Sequence, residues 1–185
     1  VNLFAPSDIT WSHGGHAVTL TTTTDFPFDP YVSINLSTPA PTQMKIRIRV
    51  PAWATGPMAI KVNGTDYGVG IPGRFTVLDR EWSDNDRIEF SLPIGFRTEK
   101  YTGLEQIGDY DRYALMYGPM LMALVGELEG PGGVPHLSVK PEELPDALRP
   151  TEGKQLEWSI EGFPDYHYAP YWRIESETFT CFPVV

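Results

Sequence analysis

Four acids crowd one short stretch, LDREWSDNDR (78–87): Asp79, Glu81, Asp84 and Asp86. Two carboxylates about 5–9.5 Å apart can hydrolyse a glycosidic bond, and Asp and Asn oxygens can hold calcium. EF-hand spacing is absent, however, and Asp and Asn in tight turns satisfy neighbouring backbone groups without a metal. A structural turn is therefore the expectation. His13 and His16 flank two glycines in SHGGHAV. A metal pair needs further ligands, and Asp8 and Asp25 are arbitrary choices without a Cys or HExxH pattern. A polar loop is expected there. His136 and His167 are expected in Pro-rich loops. Cys181 is the only cysteine. A catalytic thiol needs a base or cation to lower its pKa, whereas lone thiols commonly behave as buried hydrophobes. No catalytic residue, metal ligand or cofactor site is assigned, and the chain is not expected to be an enzyme by itself.

The aromatic residues are the other chemical resource: five Trp, nine Tyr and nine Phe. Sugar-binding surfaces use exposed Trp and Tyr faces, because sugar C–H groups pack on a π-system. Trp11, Trp53, Trp82, Trp158, Tyr171 and Trp172 are the candidates, and Trp53, Trp82, Tyr171 and Trp172 carry the carbohydrate-binding assignment. The competing role is core or interface packing. The densest stretch, PDYHYAPYW (164–172), suits a ligand surface or a contact with another domain equally. Asn63-Gly64-Thr65 and Asn35-Leu36-Ser37 match the glycosylation sequon, a short and common pattern; Asn63 reads as turn chemistry. There is no Gly-rich phosphate loop, no GxSxG and no basic patch with interleaved aromatics.

Composition limits the partners. The 185 residues are 41% hydrophobic, with 18 Pro, 17 Gly and a formal net charge of −10. Such a field repels phosphate backbones and anionic membranes. Neither nucleic acid nor membrane is expected as a partner. A single cysteine allows no intramolecular disulfide and leaves the compartment unassigned. The longest apolar run, ALMYGPMLMALVG (114–126), is shorter than the roughly 20 residues of a membrane helix. Gly118-Pro119 would also break a helix at its centre. A buried strand, or two strands kinked at Gly-Pro, fits better. The opening VNLFAPSDITW lacks the basic and apolar regions of a signal peptide and reads as an internal segment.

These residues must be positioned by strands. In QMKIRIRVPAW (43–53), Met44, Ile46, Ile48 and Val50 alternate with Lys45, Arg47 and Arg49. Successive side chains of a strand point to opposite faces, so the aliphatics go to a core and the cations to solvent or to acids on neighbouring strands. HAVTLTTTT (16–24), YVSINLS (31–37) and DRIEFSLP (86–93) alternate likewise. GRFTVLDREW (73–82) places Phe75 and Val77 on one side. Asn63-Gly64 predicts a type I′ hairpin turn. About six strands in this half predict an antiparallel β-sandwich of jelly-roll or immunoglobulin-like type. After Arg97 the chain becomes polar, then Pro- and Gly-rich. Pro141 to Leu144 suggests one helical turn, and KQLEWSIEGF, APYWRIE and ETFTCFPVV read as late strands. The expected organisation is a sandwich over residues 1–98 and a second, smaller β-rich unit over 99–185.

Six segments occur in an order that resembles a known family. They are VNLFAPSDITW, VTLTTTTDFPFD, KIRIRVPAWA, IKVNGTDYG, FTVLDREWSDNDRIEFSLP and YALMYGPMLMAL. Together they are similar to the C-terminal β-sandwich region of the DUF1680 family, which includes the glycoside hydrolase family 127 (GH127) β-L-arabinofuranosidases. The resemblance implies an (α/α)₆ catalytic barrel beside this region in a parent protein. That barrel would use a cysteine nucleophile near a zinc held by cysteines and a glutamate, with a second glutamate as acid/base. None of these groups maps onto this chain, so the resemblance implies the accessory β-portion alone. Two alternatives remain: a stand-alone carbohydrate-binding module using exposed aromatics, and a protein-interaction or dimerisation domain. The corresponding partners are a glycan or a second copy of the chain.

Overall fold

The computed structural model describes residues 1–185 and is built of strands joined by turns, with three short 3₁₀ turns as its only helical pieces. It divides into two compact units, Val1–Ile94 and Gly95–Val185. The division falls before the expected position 98, because Phe96–Lys100 is a strand whose residues all pair with Tyr113–Tyr117.

Unit 1 contains β1 (Ser7–His13), β2 (His16–Thr24), β3 (Tyr31–Ser37), β4 (Thr42–Arg49), β5 (Met58–Val62), β6 (Thr65–Gly70), β7 (Phe75–Trp82) and β8 (Arg87–Ser91). Six of them form one antiparallel sheet in the order β1-β2-β3-β8-β5-β6, and β4 pairs β7 separately. The alternation read from sequence sets the faces. Met44, Ile46 and Ile48 of β4 join Val32, Ile34, Leu36, Ile60, Ile88 and Phe90 of the larger sheet in one buried cluster. This is the expected antiparallel β-sandwich. On the solvent side of β4, Lys45 lies opposite Asp79 and pairs with it at 3.1 Å.

Two turns fix the register. Asn63 and Gly64 both have positive φ (53° and 76°) between the paired Val62 and Thr65, which is the conformation a type I′ turn demands. Gly14 and Gly15 (φ 60° and 84°) join His13 to its cross-strand partner His16 in the same way. The segment expected to be a polar loop is thus a hairpin, and β1 is a strand that alternation alone did not reveal. Beyond Val62 the β5–β6 ladder shifts register between Ile60 and Lys61. Tyr67 then reaches β7, where its hydroxyl accepts from the Asp79 N–H at 3.1 Å and donates to the Asp79 carbonyl at 3.3 Å.

Unit 2 contains β9 (Phe96–Lys100), β10 (Tyr113–Tyr117), β11 (Met120–Val125), β12 (Leu148–Pro150), β13 (Trp158–Ile160), β14 (Phe163–Pro170) and β15 (Phe179–Thr180). They form one antiparallel sheet in the order β12-β13-β14-β11-β10-β9, with β15 also on β11. The apolar run resolves into two strands, Tyr117 opposite Met120, turned at Gly118 with φ 55°. APYWRIE is not a strand of its own. β14 ends at Pro170, and Tyr171–Arg173 is a 3₁₀ turn. The helical turn anticipated at Pro141–Leu144 lies slightly later, at Leu144–Ala147. No helix is long and apolar enough to cross a membrane.

Candidate functional site

The acidic turn is a knot of side-chain bonds to backbone and to other side chains. Asp86 is buried at 6% exposure. Its Oδ1 accepts from Asn63 Nδ2 at 2.6 Å, and its Oδ2 accepts from the Ser83 N–H at 2.9 Å. Arg80 Nη2 lies 3.6 Å from the same oxygen. Asn63 Oδ1 accepts from the Arg87 N–H at 2.8 Å, so the β5–β6 hairpin and the β7–β8 turn are tied together. Asp84 Oδ1 accepts from the Thr38 N–H at 3.1 Å. Of these hydrogen bonds only Ser83–Asp86 is local turn chemistry; Thr38 and Asn63 come from distant parts of the chain, so the two carboxylates also tie neighbouring strands together. Asp79 is engaged by Lys45 and by Gln43 Nε2 at 2.9 Å.

No three His, Cys, Asp or Glu residues are grouped so as to hold a metal ion. The zinc implied by the family resemblance therefore finds no donor set in this chain, and no step is derived through it. Cys181 is half-buried, and burial pushes its thiol pKa up, opposite to what a nucleophile needs. His13 Nε2 lies 3.2 Å from the Gln43 carbonyl.

The four aromatic candidates separate sharply. Trp82 is removed from the sugar-binding set. It is fully buried, its Nε1–H donates to the Met44 carbonyl at 3.1 Å, and Arg80 covers its ring at 5.1 Å. No ring face is left for a ligand. Trp53 is partly buried against the core and stacks on Phe26 at 6.0 Å and 11°. Tyr171 and Trp172 are exposed at 51% and 55%, adjacent in one 3₁₀ turn. Phe179 lies against Tyr171, and Arg173 lies over Trp172 at 5.2 Å. Trp158 packs instead with Phe96 and Tyr117, both at 4.9 Å.

Sequence reasoning missed a polar surface on the outer face of the six-stranded sheet. Arg87, Glu89 and Ser91 are alternate residues of β8 on that face. Across from them stand Asn35, Ser33 and Tyr31 of β3, and Lys61 of β5 lies opposite Glu89. Tyr31 Oη donates to Glu89 Oε1 at 2.5 Å, and Arg87 Nε lies 3.2 Å from Glu89 Oε2. The Tyr31 hydrogen bond is the first cause holding the Glu89 carboxyl below its usual range, with Arg87 adding to it. The same bond pushes the Tyr31 phenol up. The signal lies in the sequence as the solvent-side residues of alternating strands such as YVSINLS and DRIEFSLP.

The family model of the "Beta-L-arabinofuranosidase, GH127 middle domain" matches residues 1–94, just over half of the 185 residues and the same span as unit 1. The chain belongs to the GH127 family. Solved structures extend the likeness to the fold of both units. A GH127 β-L-arabinofuranosidase from Geobacillus stearothermophilus T6 superposes with a TM-score of 0.66 at 18% identity, over 98% of this chain and 33% of that one. A protein described as a glycoside hydrolase gives 0.64 at 18% identity, over 96% and 34%. A GH127 β-arabinofuranosidase gives 0.63 at 12% identity, over 96% and 33%. The GH127 chain thus spans about a third of the length of these proteins. No curated protein matches it significantly in sequence.

One buried group of the GH127 chain stands apart. Tyr168 of β14 is fully buried, and its hydroxyl has no hydrogen-bond partner. Burial pushes its phenol far above the ordinary 10.0, and Cys181 adds to the shift. An unpaired buried hydroxyl costs about 1–3 kcal/mol, so Tyr168→Phe is expected to raise stability by about 1 kcal/mol at neutral pH. The pH dependence has a defined sign. The folded pKa exceeds the unfolded one, so the contribution is intact below about pH 10 and falls above it. The slope is about 1.4 kcal/mol per pH unit for one group. Urea melts between pH 9 and 11 should show a shallower alkaline loss in the variant. Equal slopes in the two proteins would refute the assignment.

Proposed function

We propose that this chain is a non-catalytic accessory portion of a GH127 glycoside hydrolase, supporting a catalytic (α/α)₆ domain in the parent protein. The observation that carries this reading is the match of residues 1–94 to the GH127 middle domain. Two features support it. Three of the four carboxylates of the acidic stretch, those of Asp79, Asp84 and Asp86, are engaged in structural bonds. The outer face of the β4–β7 pair leaves Phe75 and Val77 exposed at 53% and 44%, opposite Arg49 and Arg47, an apolar seat for a further domain. The test is hydrolysis. The purified chain is expected to release no product from a nitrophenyl β-L-arabinofuranoside above the buffer rate. Release that disappears on Asp79→Asn or Glu81→Gln would overturn the reading.

A second reading, a carbohydrate-binding module, is favoured by the exposure of Tyr171 and Trp172. Trp53, with one ring face against Phe26, is the weaker platform. A third, self-association through the Phe75–Val77 face, would appear as a dimer in light scattering.

A further inference from the structure

We propose that the outer face of the six-stranded sheet binds a neutral oligosaccharide along β8, with Arg87, Glu89 and Ser91 as its polar floor. Two depressions open on this face and share that strand. One, of about 360 Å³, is lined by Tyr31, Ala59, Lys61, Glu89 and Ser91, with Phe90 beneath. The other, of about 400 Å³, is lined by Asn35, Asn63, Asn85 and Arg87. Ala59 leaves the first one open, because no long side chain rises from that position of β5.

The lining suits polyols. The Asn35 amide offers donors and an acceptor together, the Ser91 hydroxyl does both, the Tyr31 hydroxyl, whose proton goes to Glu89, can still accept, and Lys and Arg donate. Vicinal sugar hydroxyls need this mixture, since each hydroxyl also donates and accepts. Tyr31, at 42% exposure, adds a ring against which sugar C–H groups can pack. The Glu89 carboxylate is held from both sides, by Tyr31 at 2.5 Å and Arg87 at 3.2 Å. It is thus oriented before any ligand arrives, which lowers the ordering cost of binding.

Charge decides the ligand class. Lys61 and Arg87 are balanced by Glu89 and by Asp66, whose Oδ1 lies 4.0 Å from Lys61 Nζ. A face whose cations are already matched attracts neither phosphate nor uronate strongly. A neutral sugar chain meets no such mismatch. The surface lies apart in sequence from Tyr171 and Trp172 and does not rest on the accessory reading, which is tested by hydrolysis rather than binding.

The experiment is a titration of the 185-residue chain with neutral arabino- and xylo-oligosaccharides, followed by amide chemical shifts and calorimetry. Polygalacturonate serves as the charged comparison. Shifts are expected at β3, β5 and β8 with a neutral chain. Glu89→Gln and Lys61→Ala should each weaken that binding by about tenfold or more, as expected when a charged hydrogen-bond partner is lost. Lys61 is exposed and Glu89 is half-buried, and unchanged circular dichroism would certify the variants' fold. The proposal is overturned if no neutral oligosaccharide shifts these amides or if polygalacturonate binds more tightly. It also fails if binding vanishes on Trp172→Ala while surviving Glu89→Gln.

Discussion

Trp82→Ala is expected to lower the unfolding free energy by about 3–5 kcal/mol, the range for deleting a large buried aromatic. Trp82 has no exposed surface and belongs to the one core cluster of unit 1. It lies at the end of β7 opposite Thr42, so a cavity there opens beneath the two-stranded layer. Truncation also orphans the Met44 carbonyl, which receives the indole N–H at 3.1 Å. Trp82→Phe keeps an aromatic ring and loses the hydrogen bond, and should cost about 1–2 kcal/mol. Denaturant melts followed by circular dichroism provide the measurement. A loss below about 1 kcal/mol for the alanine variant would contradict the burial described for this residue.

Asp86→Ala should cost about 2–3 kcal/mol, at the upper end for hydrogen bonds to a charged group. The carboxylate joins the Asn63 amide, the Ser83 N–H and the Arg80 guanidinium. Removing it leaves the first two without an acceptor where little water reaches. Asp86→Asn retains one carbonyl and should recover part of the loss, because an amide can accept from only one of the two donors while its NH₂ faces the other. The Asn63→Ala variant should be non-additive with Asp86→Ala, since both act through one shared bond. Additive losses in the double variant would show that the knot does not act as a unit.

Much of unit 1 was legible because one face of β2, β3, β4, β5 and β8 is buried. Alternation gave β2, β3, β4 and β8, and it placed the aliphatics of β4 inside and its cations outside. It could not decide which face of β7 is inside. Phe75 and Val77 share a side, as the spacing implies, but that side faces solvent, while Leu78 and Trp82 of the opposite set are buried. Period-2 patterning fixes which residues travel together. The partner layer fixes which set is covered. β1 escaped notice because its pattern is weak and most of its residues are exposed; the glycine pair at its end was the stronger signal. In unit 2 the short strand Leu148–Pro150 carries too few residues for any period to register, whereas Phe179–Thr180 falls within ETFTCFPVV, which reads as a strand.

The candidate site was less legible than the fold. Large aromatics drew attention by type, and burial then divided them, because type does not report environment. The sheet-face cluster of Tyr31, Lys61 and Glu89 comes from three strands distant in sequence. Only the order β3-β8-β5 brings these residues side by side. No local spacing encodes such a neighbourhood.

The Tyr67 hydroxyl, bonded to both backbone groups of Asp79, has a bearing on solubility. An unpaired strand margin offers its amides and carbonyls to any passing chain, the first step of fibril growth. One phenol here sits where a foreign strand would dock, and it closes that template at the middle of β7 without adding another strand to the pair.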